Sequence, residues 1–168
     1  RGTFTGMTDA GHIAATLDFR LSGHQEALRD QAREVAADGV ARFGRSTDSW
    51  INGYSAEFAR IMAAEGWIGM GWPEAHGGRD RPAIERVIVA EEMISVGAPI
   101  AAMWFADRQM GPSLIAHGTP DQQAEYLPGM LSGESMWSIG MSEPDAGSDL
   151  ASPKTSARRN GDHWVVNG

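Results

Sequence analysis

The spacing of the apolar residues changes once along this chain, near Ser135. Before that point apolar side chains recur at steps of three, four and seven residues, which is typical of helices that bury one face. After it, Trp137, Ile139 and Met141 alternate with small or polar residues, and this pattern predicts a half-buried strand. Helices followed by strands argue for separate domains, so we expect an α+β multidomain chain.

Periodicity and terminal signals predict five helices before Ser135. They lie at 21–43, around 58–62, and at 82–97, 99–116 and 119–133. The last has the strongest start signal, because Thr119 can cap it and Gln122 completes a capping box. A glycine-rich stretch at 67–78 predicts a packed loop. Later, Asn160-Gly161 predicts a β-hairpin whose second strand includes Trp164.

The helix at 82–97 combines an apolar pattern with two adjacent carboxylates. Glu91 and Glu92 are open to two interpretations: paired acid–base groups, or one member of a buried network beside one solvated side chain. Carboxylates are seldom buried without partners, which favours the second interpretation. The residues expected to share one face of this helix are Ile84, Val87, Ile88, Glu91 and Ile94.

Composition disfavours several classes of function. Lys and Arg number 14 and Asp and Glu number 22, so the net charge is −8, which disfavours binding along a nucleic-acid backbone. The chain contains no cysteine, which excludes disulfides, thiolate zinc sites and cysteine nucleophiles. The five histidines lack helical ligand spacing, so no metal site is expected. No apolar run approaches the roughly 20 residues that span a membrane.

The N-terminal residues lack a basic segment followed by an apolar one, so no secretory signal is predicted. The chain opens on Arg1, and we interpret Met7 as the natural start within a tail at 1–20. A cytoplasmic location is expected, because a reducing compartment fits a chain without cysteine.

The segment at 141–149 carries the strongest chemical signal. A strand is expected to end at Met141 and the backbone to turn at Pro144, after which Gly147 allows close approach to a ligand or a positive φ. The N–H groups at 147–149 and the Ser148 hydroxyl would then form an anion nest that suits a pyrophosphate. A plain surface turn capped by Asp and Ser explains the same residues.

Residues 140–149 read Gly-Met-Ser-Glu-Pro-Asp-Ala-Gly-Ser-Asp, which closely resembles the first signature of the acyl-CoA dehydrogenase family. The loop at 72–78 resembles the family's Pro-x-x-x-Gly-Gly loop, with His76 where Tyr or Phe is more usual. Residues 118–134, 154–155 and 160–168 are also similar, so the resemblance covers about 21–168.

The resemblance implies an N-terminal all-α domain at 21–134 and the beginning of a middle β-barrel domain at 135–168. A C-terminal helical domain would lie outside this chain. The implied reaction is FAD-dependent oxidation of an acyl-CoA thioester to trans-2-enoyl-CoA, as in fatty-acid catabolism. An electron-transfer flavoprotein is the implied acceptor, and a homodimer or homotetramer the implied assembly. Alternatives are an acyl-CoA oxidase or a flavin-dependent monooxygenase of the same fold, or a non-catalytic accessory subunit.

The resemblance also assigns site residues. Ile139, Met141 and Ser142 match positions beside the flavin ring. Gly147 and Ser148 match positions that meet the FAD pyrophosphate, and Ser148 also matches a contact to the CoA part of the substrate. The catalytic glutamate of the family lies beyond this chain, so no catalytic residue is assigned here.

Three further features have less specific interpretations. Glu143, beside a proline in the motif, is expected to be a structural hydrogen-bonding residue. Lys154, Arg158 and Arg159 form a basic patch that either faces CoA phosphates or is solvated. An apolar group either approaches the acyl chain or packs in the core, and it comprises Met103, Trp104, Phe105 and Met110.

Overall fold

A computed structural model describes residues 20–168. The predicted start at Met7 and the tail before residue 20 lie outside these residues. The helices are α1 (Gly23–Phe43), α2 (Ser49–Asn52), α3 (Ala56–Ala64), α4 (Ala83–Val96), α5 (Ala101–Phe105), α6 (Gly111–His117) and α7 (Pro120–Leu131). A 3₁₀ turn spans Glu74–His76, and a π-helical turn at Ala106–Met110 joins α5 to α6. The strands are β1 (Ser156–Asn160) and β2 (His163–Asn167).

Local side-chain hydrogen bonds define where two of the long helices begin. Ser22 Oγ accepts from the Gln25 N–H at 3.2 Å, and Gln25 Oε1 accepts from the Ser22 N–H at 2.9 Å. Thr119 and Gln122 form the same reciprocal pair at the start of α7, as predicted. Each pair satisfies two backbone groups at a helix start.

The core lies where α1, α3 and α4 meet the loop at 67–72. Leu28, Ala32 and Ala36 are buried on one side of α1, as the helical spacing of apolar residues predicts. Gly39 lies directly against the Phe58 ring, which is fully buried, and a side chain at Gly39 would collide with that ring. The absence of a side chain at this position therefore allows the Phe58 ring of α3 to lie against the α1 backbone.

An ion pair fastens α1 to α4 at the edge of this core. Arg33 donates from Nε to Glu92 Oε2 at 3.2 Å and from Nη2 to Glu92 Oε1 at 3.1 Å. Arg29 lies 3.9 Å from the same carboxylate, whereas Glu91 is exposed. The second interpretation of the two carboxylates is therefore confirmed for the solvated Glu91, whereas the network of Glu92 lies at the surface and is not buried.

The predicted face of α4 is largely wrong. Ile88 is buried as expected, but Ile84, Val87 and Ile94 are 43%, 51% and 42% exposed. The helix has apolar residues on two sides, so periodicity alone did not select the face. The buried side contains Glu85, whose carboxylate is paired with Arg81.

The strand predicted at 135–141 is not formed. A strand requires a hydrogen-bonded neighbour, and within 20–168 the sheet contains only β1 and β2, which pair antiparallel with each other. The start of this segment packs back on α7 instead, where the Trp137 and Tyr126 rings meet edge to face with centroids 5.5 Å apart. The hairpin itself is confirmed, with Gly161 at φ 65° in its turn.

Along residues 20–168, none of the helices combines the length and apolarity needed to cross a bilayer. The same residues contain no group of three His, Asp or Glu side chains placed to hold a metal ion.

Candidate functional site

The backbone turns sharply at 143–146, as the sequence predicts. The Glu143 N–H donates to the Ala146 carbonyl at 2.9 Å, and the Ala146 N–H returns a bond to the Glu143 carbonyl at 3.1 Å. Pro144 and Asp145 form the two-residue tip. We call the residues before this turn the 139–142 arm and those after it the 147–149 loop. The two backbone bonds hold the arm and the loop side by side.

Glu143 closes a longer loop at its base. One carboxylate oxygen accepts from the Lys154 N–H at 2.7 Å, and the other accepts from the Thr155 N–H at 2.8 Å and from Thr155 Oγ1 at 2.5 Å. These hydrogen bonds, the one from the Thr155 hydroxyl first, hold the pKa of Glu143 below its ordinary value. The expectation that Glu143 is a structural hydrogen-bonding residue is confirmed.

The other acidic side chains of the loop also bond within it. Asp149 accepts from the Ala151 N–H at 3.3 Å and from the Ser152 hydroxyl at 2.5 Å. Asp145 accepts from the Lys154 ammonium at 3.2 Å. The carboxylates of Asp145 and Asp149 therefore accept hydrogen bonds from residues of the same segment.

Hydrogen-bond donors on both sides of the turn are unused. The hydroxyls of Ser142 and Ser148 and the N–H groups of Gly147 and Ser148 bond to no other residue within 20–168. All three residues are exposed. Ile139 and Met141 also expose apolar side chains on the arm. The five predicted site residues therefore lie on one exposed stretch, three before the turn and two after it.

Gly147 lies in open space. A Cβ built there would have no heavy atom within 4 Å, and its φ is not positive. Of the two reasons that the sequence offered for a glycine, a positive φ is wrong, and close approach to a ligand stays a prediction. Free donors and an unobstructed backbone fit the FAD that the resemblance implies, because a pyrophosphate binds to clustered N–H and hydroxyl groups.

An apolar trough runs beside the arm, and sequence reasoning did not identify it. It has a volume of about 290 Å³ and is lined by Ile51, Tyr54, Ala101, Ala102, Phe105, Met136, Trp137 and Ser138. The pair of alanines that opens α5 is a signal in the sequence, because small side chains leave space on that face. The predicted apolar group divides here: Phe105 lines the trough, whereas Met103 and Trp104 pack in the core.

A buried carboxylate was also missed. Asp107, in the π-helical turn, accepts from the Gly69 N–H at 2.7 Å, and its carbonyl accepts from the Trp72 indole N–H at 2.9 Å. Burial raises the pKa of Asp107, although the bond from Gly69 opposes this change. Asp107 thus orients the glycine-rich loop, and its role is structural.

The basic patch is only partly available to a ligand. Arg159 donates to the Gly161 carbonyl at 3.1 Å, and Lys154 is paired with Asp145. Arg158 is exposed on β1.

Known proteins resemble both the sequence and the fold. The sequence profile of the acyl-CoA dehydrogenase N-terminal domain matches residues 22–134. The acyl-CoA dehydrogenase IpdE1 of Mycobacterium tuberculosis is 47% identical over 107 residues, which are 64% of this chain and 28% of IpdE1.

Two solved structures share the fold. The Tcur3481–Tcur3483 steroid ACAD matches with a TM-score of 0.78 at 33% identity, over 90% of this chain and 40% of that one. The ChsE4–ChsE5 complex from Mycobacterium tuberculosis matches with a TM-score of 0.75 at 32% identity, over 90% and 39%.

The chain spans between 28% and 40% of the length of these relatives. Within that span, the profile match covers more than half of the residues, and the helices followed by a hairpin match the solved folds. The chain therefore belongs to the acyl-CoA dehydrogenase family, whose members are FAD-dependent flavoproteins.

Proposed function

We propose that this chain contributes the first part of an FAD-dependent enzyme that oxidises an acyl-CoA thioester to the trans-2-enoyl-CoA. The observation that carries the proposal is the set of unused donors on the 139–142 arm and the 147–149 loop. FAD supplies the hydride acceptor when bound. The base that removes the α-proton is proposed to lie outside these 168 residues, because the family's catalytic glutamate matches no position here.

Each site residue has a proposed role. Ser142 would donate its hydroxyl to the edge of the flavin ring, and Ile139 and Met141 would lie beside the ring. A donor at that edge favours the negative charge of the reduced flavin. Gly147 and Ser148 would bind the pyrophosphate, and Ser148 would also contact the CoA part of the substrate. The free N–H groups and the open space at Gly147 support this assignment.

The trough beside the arm supports a hydrophobic acyl group. Its walls include Ile51, Ala102, Phe105 and Trp137, whose apolar side chains suit a hydrocarbon. The name of the Tcur3481–Tcur3483 structure associates a relative with steroids, so both fatty acyl and steroid-derived acyl groups are candidates for this chain.

The assembly and the domain division are also proposals. A homodimer or homotetramer remains our expectation, with an electron-transfer flavoprotein as acceptor and a cytoplasmic location. The ChsE4–ChsE5 complex supports a two-subunit alternative, in which this chain pairs with a different one. A helical unit at 21–134 and the start of a β unit at 135–168 are supported by the profile match at 22–134.

The test uses the complete gene product. We expect it to retain FAD on purification and the flavin to bleach when an acyl-CoA is added without oxygen. A series of fatty acyl-CoA and steroid-CoA esters would identify the substrate class. Oxygen consumption during turnover would instead support an oxidase or monooxygenase. A folded product that neither retains nor takes up FAD would contradict the proposal.

A further inference from the structure

Glu143 connects two segments of the site that are separated in sequence. It directly follows the 139–142 arm, and its carboxylate reaches 11 and 12 residues ahead to Lys154 and Thr155. Thr155 directly precedes β1. The three hydrogen bonds to this carboxylate, which we call the Glu143 latch, therefore join the arm to the hairpin and close the loop that contains Gly147 and Ser148.

The geometry of the latch is restrictive. Two successive backbone N–H groups and one hydroxyl share the two carboxylate oxygens, at 2.5–2.8 Å. Such a divided, charge-assisted arrangement fixes orientation as well as distance. An amide at this position would direct an NH₂ group at one of the donors, because an amide has only one acceptor oxygen. The latch thus depends on the ionised carboxylate.

Within residues 20–168, no cationic side chain forms an ion pair with the Glu143 carboxylate. The Lys154 ammonium is paired with Asp145 at 3.2 Å, and the low pKa of Glu143 is caused by its three donors. Lys154 and Asp145 are the other titratable groups that flank the latch. The Asp145 carboxylate accepts from the Lys154 ammonium, whereas the backbone N–H groups of Lys154 and Thr155 donate to Glu143.

We propose that Glu143 is a positioning residue for FAD: the latch holds the 139–142 arm and the 147–149 loop at the separation at which Ser142 and Ser148 meet one cofactor molecule. The inference rests on the proposed function for the identity of the cofactor. In this proposal Glu143 acts without touching FAD, because donors of Lys154 and Thr155 use three of the roughly four acceptor sites of its carboxylate. The effect of losing it is therefore on flavin affinity, and the helical core is unaffected.

Glu143→Gln in the complete gene product tests this directly. We expect the amides at 154 and 155 to exchange with deuterium about tenfold faster, and the Kd for FAD to rise about tenfold, as for loss of a charge-assisted bond. The matched control is Asp145→Asn on the same turn. It removes the exposed ion pair but leaves the latch, so both quantities should stay close to those of the unaltered protein.

A second pair of variants covers the case in which Glu143→Gln fails to fold. Thr155→Val removes one of the three donors, whereas Thr155→Ser keeps the hydroxyl. We expect Thr155→Val to bind FAD more weakly than the unaltered protein, and Thr155→Ser to bind FAD as the unaltered protein does. Equal FAD affinity in these two variants would contradict the proposal.

The remaining outcomes separate the latch from the proposed function. If the unaltered protein binds FAD and Glu143→Gln binds it equally well, the latch has no positioning role and the proposed function stands. If deuterium exchange at 154 and 155 is the same in both, the latch itself is wrong. If the unaltered protein binds no FAD, the proposed function fails and this inference fails with it.

Discussion

At the scale of single residues, the site depends on backbone atoms that no side chain obstructs. Gly147 illustrates this, because the space around its Cα is open and its φ is one that any residue adopts. A substitution there should therefore leave the fold intact and affect only what binds to the loop. Because a substitution at Gly147 would change binding and leave folding unchanged, this residue is well suited to testing FAD binding.

We predict that Gly147→Val lowers FAD affinity at least tenfold by placing a branched side chain where the pyrophosphate approaches, a loss of about 1.4 kcal/mol or more. Flavin content after purification and a fluorescence titration with FAD measure it. Gly23→Val is the matched control, since Gly23 also has no heavy atom within 4 Å of a built Cβ. A Gly147→Val protein with full flavin content would disprove the pyrophosphate assignment.

Asp107 makes a second residue-scale prediction, about stability. Asp107→Ala leaves the Gly69 N–H without its partner in the core, so we expect a loss of about 1–3 kcal/mol in the free energy of unfolding. Asp107→Asn keeps an acceptor oxygen and removes the buried charge, so it should cost much less. Urea unfolding of the two variants measures the difference, and equal losses would mean that the hydrogen bond is unimportant.

The pH dependence of the stability that Asp107 contributes follows from the direction of its pKa shift. Burial raises the folded pKa of Asp107 above its ordinary value of 3.8, so the folded state binds the proton more tightly than the unfolded state does. The stability from this group is complete at low pH and declines as the pH rises through the raised value. Asp107→Asn should lack that decline, and unfolding measured across this range would show it.

At the scale of secondary-structure elements, the contact between the Phe58 ring of α3 and the α1 backbone has a measurable consequence. Gly39→Ala should destabilise the protein by about 1 kcal/mol, because overpacking against the buried Phe58 ring outweighs the helix-propensity gain. Thermal unfolding tests this, with Gly23→Ala as a control that meets no neighbour. A stabilised Gly39→Ala protein would show that the ring has room to move.

The elements also show what the sequence can predict. The start of α7 was predictable because Thr119 and Gln122 complete their hydrogen bonds within one turn. The buried face of α4 was not, because Val87 and Val89 are equally apolar and lie on different sides of the helix, and only packing against α1 decides which of them is buried. Strand formation after Ser135 depends on a neighbouring strand, which local alternation cannot supply.

For the candidate site, too, some features were predictable from the sequence and others were not. Residues 140–149 were recognisable because their identity and order are specific. The roles of Asp107 and of the trough were not, since each depends on segments that are distant in sequence, such as Gly69 and Met136. The bonds from Lys154 and Thr155 to Glu143 were not predictable either, because they join residues 11 and 12 positions apart.

At the scale of the whole molecule, FAD binding and folding are linked. If FAD binds only the folded protein, FAD at 100 times its Kd should stabilise the complete gene product by about 2.7 kcal/mol. The melting temperature should therefore rise with FAD concentration, and with a tenfold weaker Kd the stabilisation of Gly147→Val at the same FAD concentration should be about half, roughly 1.4 kcal/mol. A melting temperature independent of FAD would contradict the proposed cofactor.

The capping boxes bear on how the chain is made. The bonds that start α1 join Ser22 and Gln25, and those that start α7 join Thr119 and Gln122, so neither start needs a distant partner. On the ribosome, the start of α1 can be settled before Phe58 has been synthesised. Local contacts that form early reduce the number of conformations that the chain must search before its long-range packing forms. The helical part is thereby suited to form in order of synthesis, ahead of the hairpin.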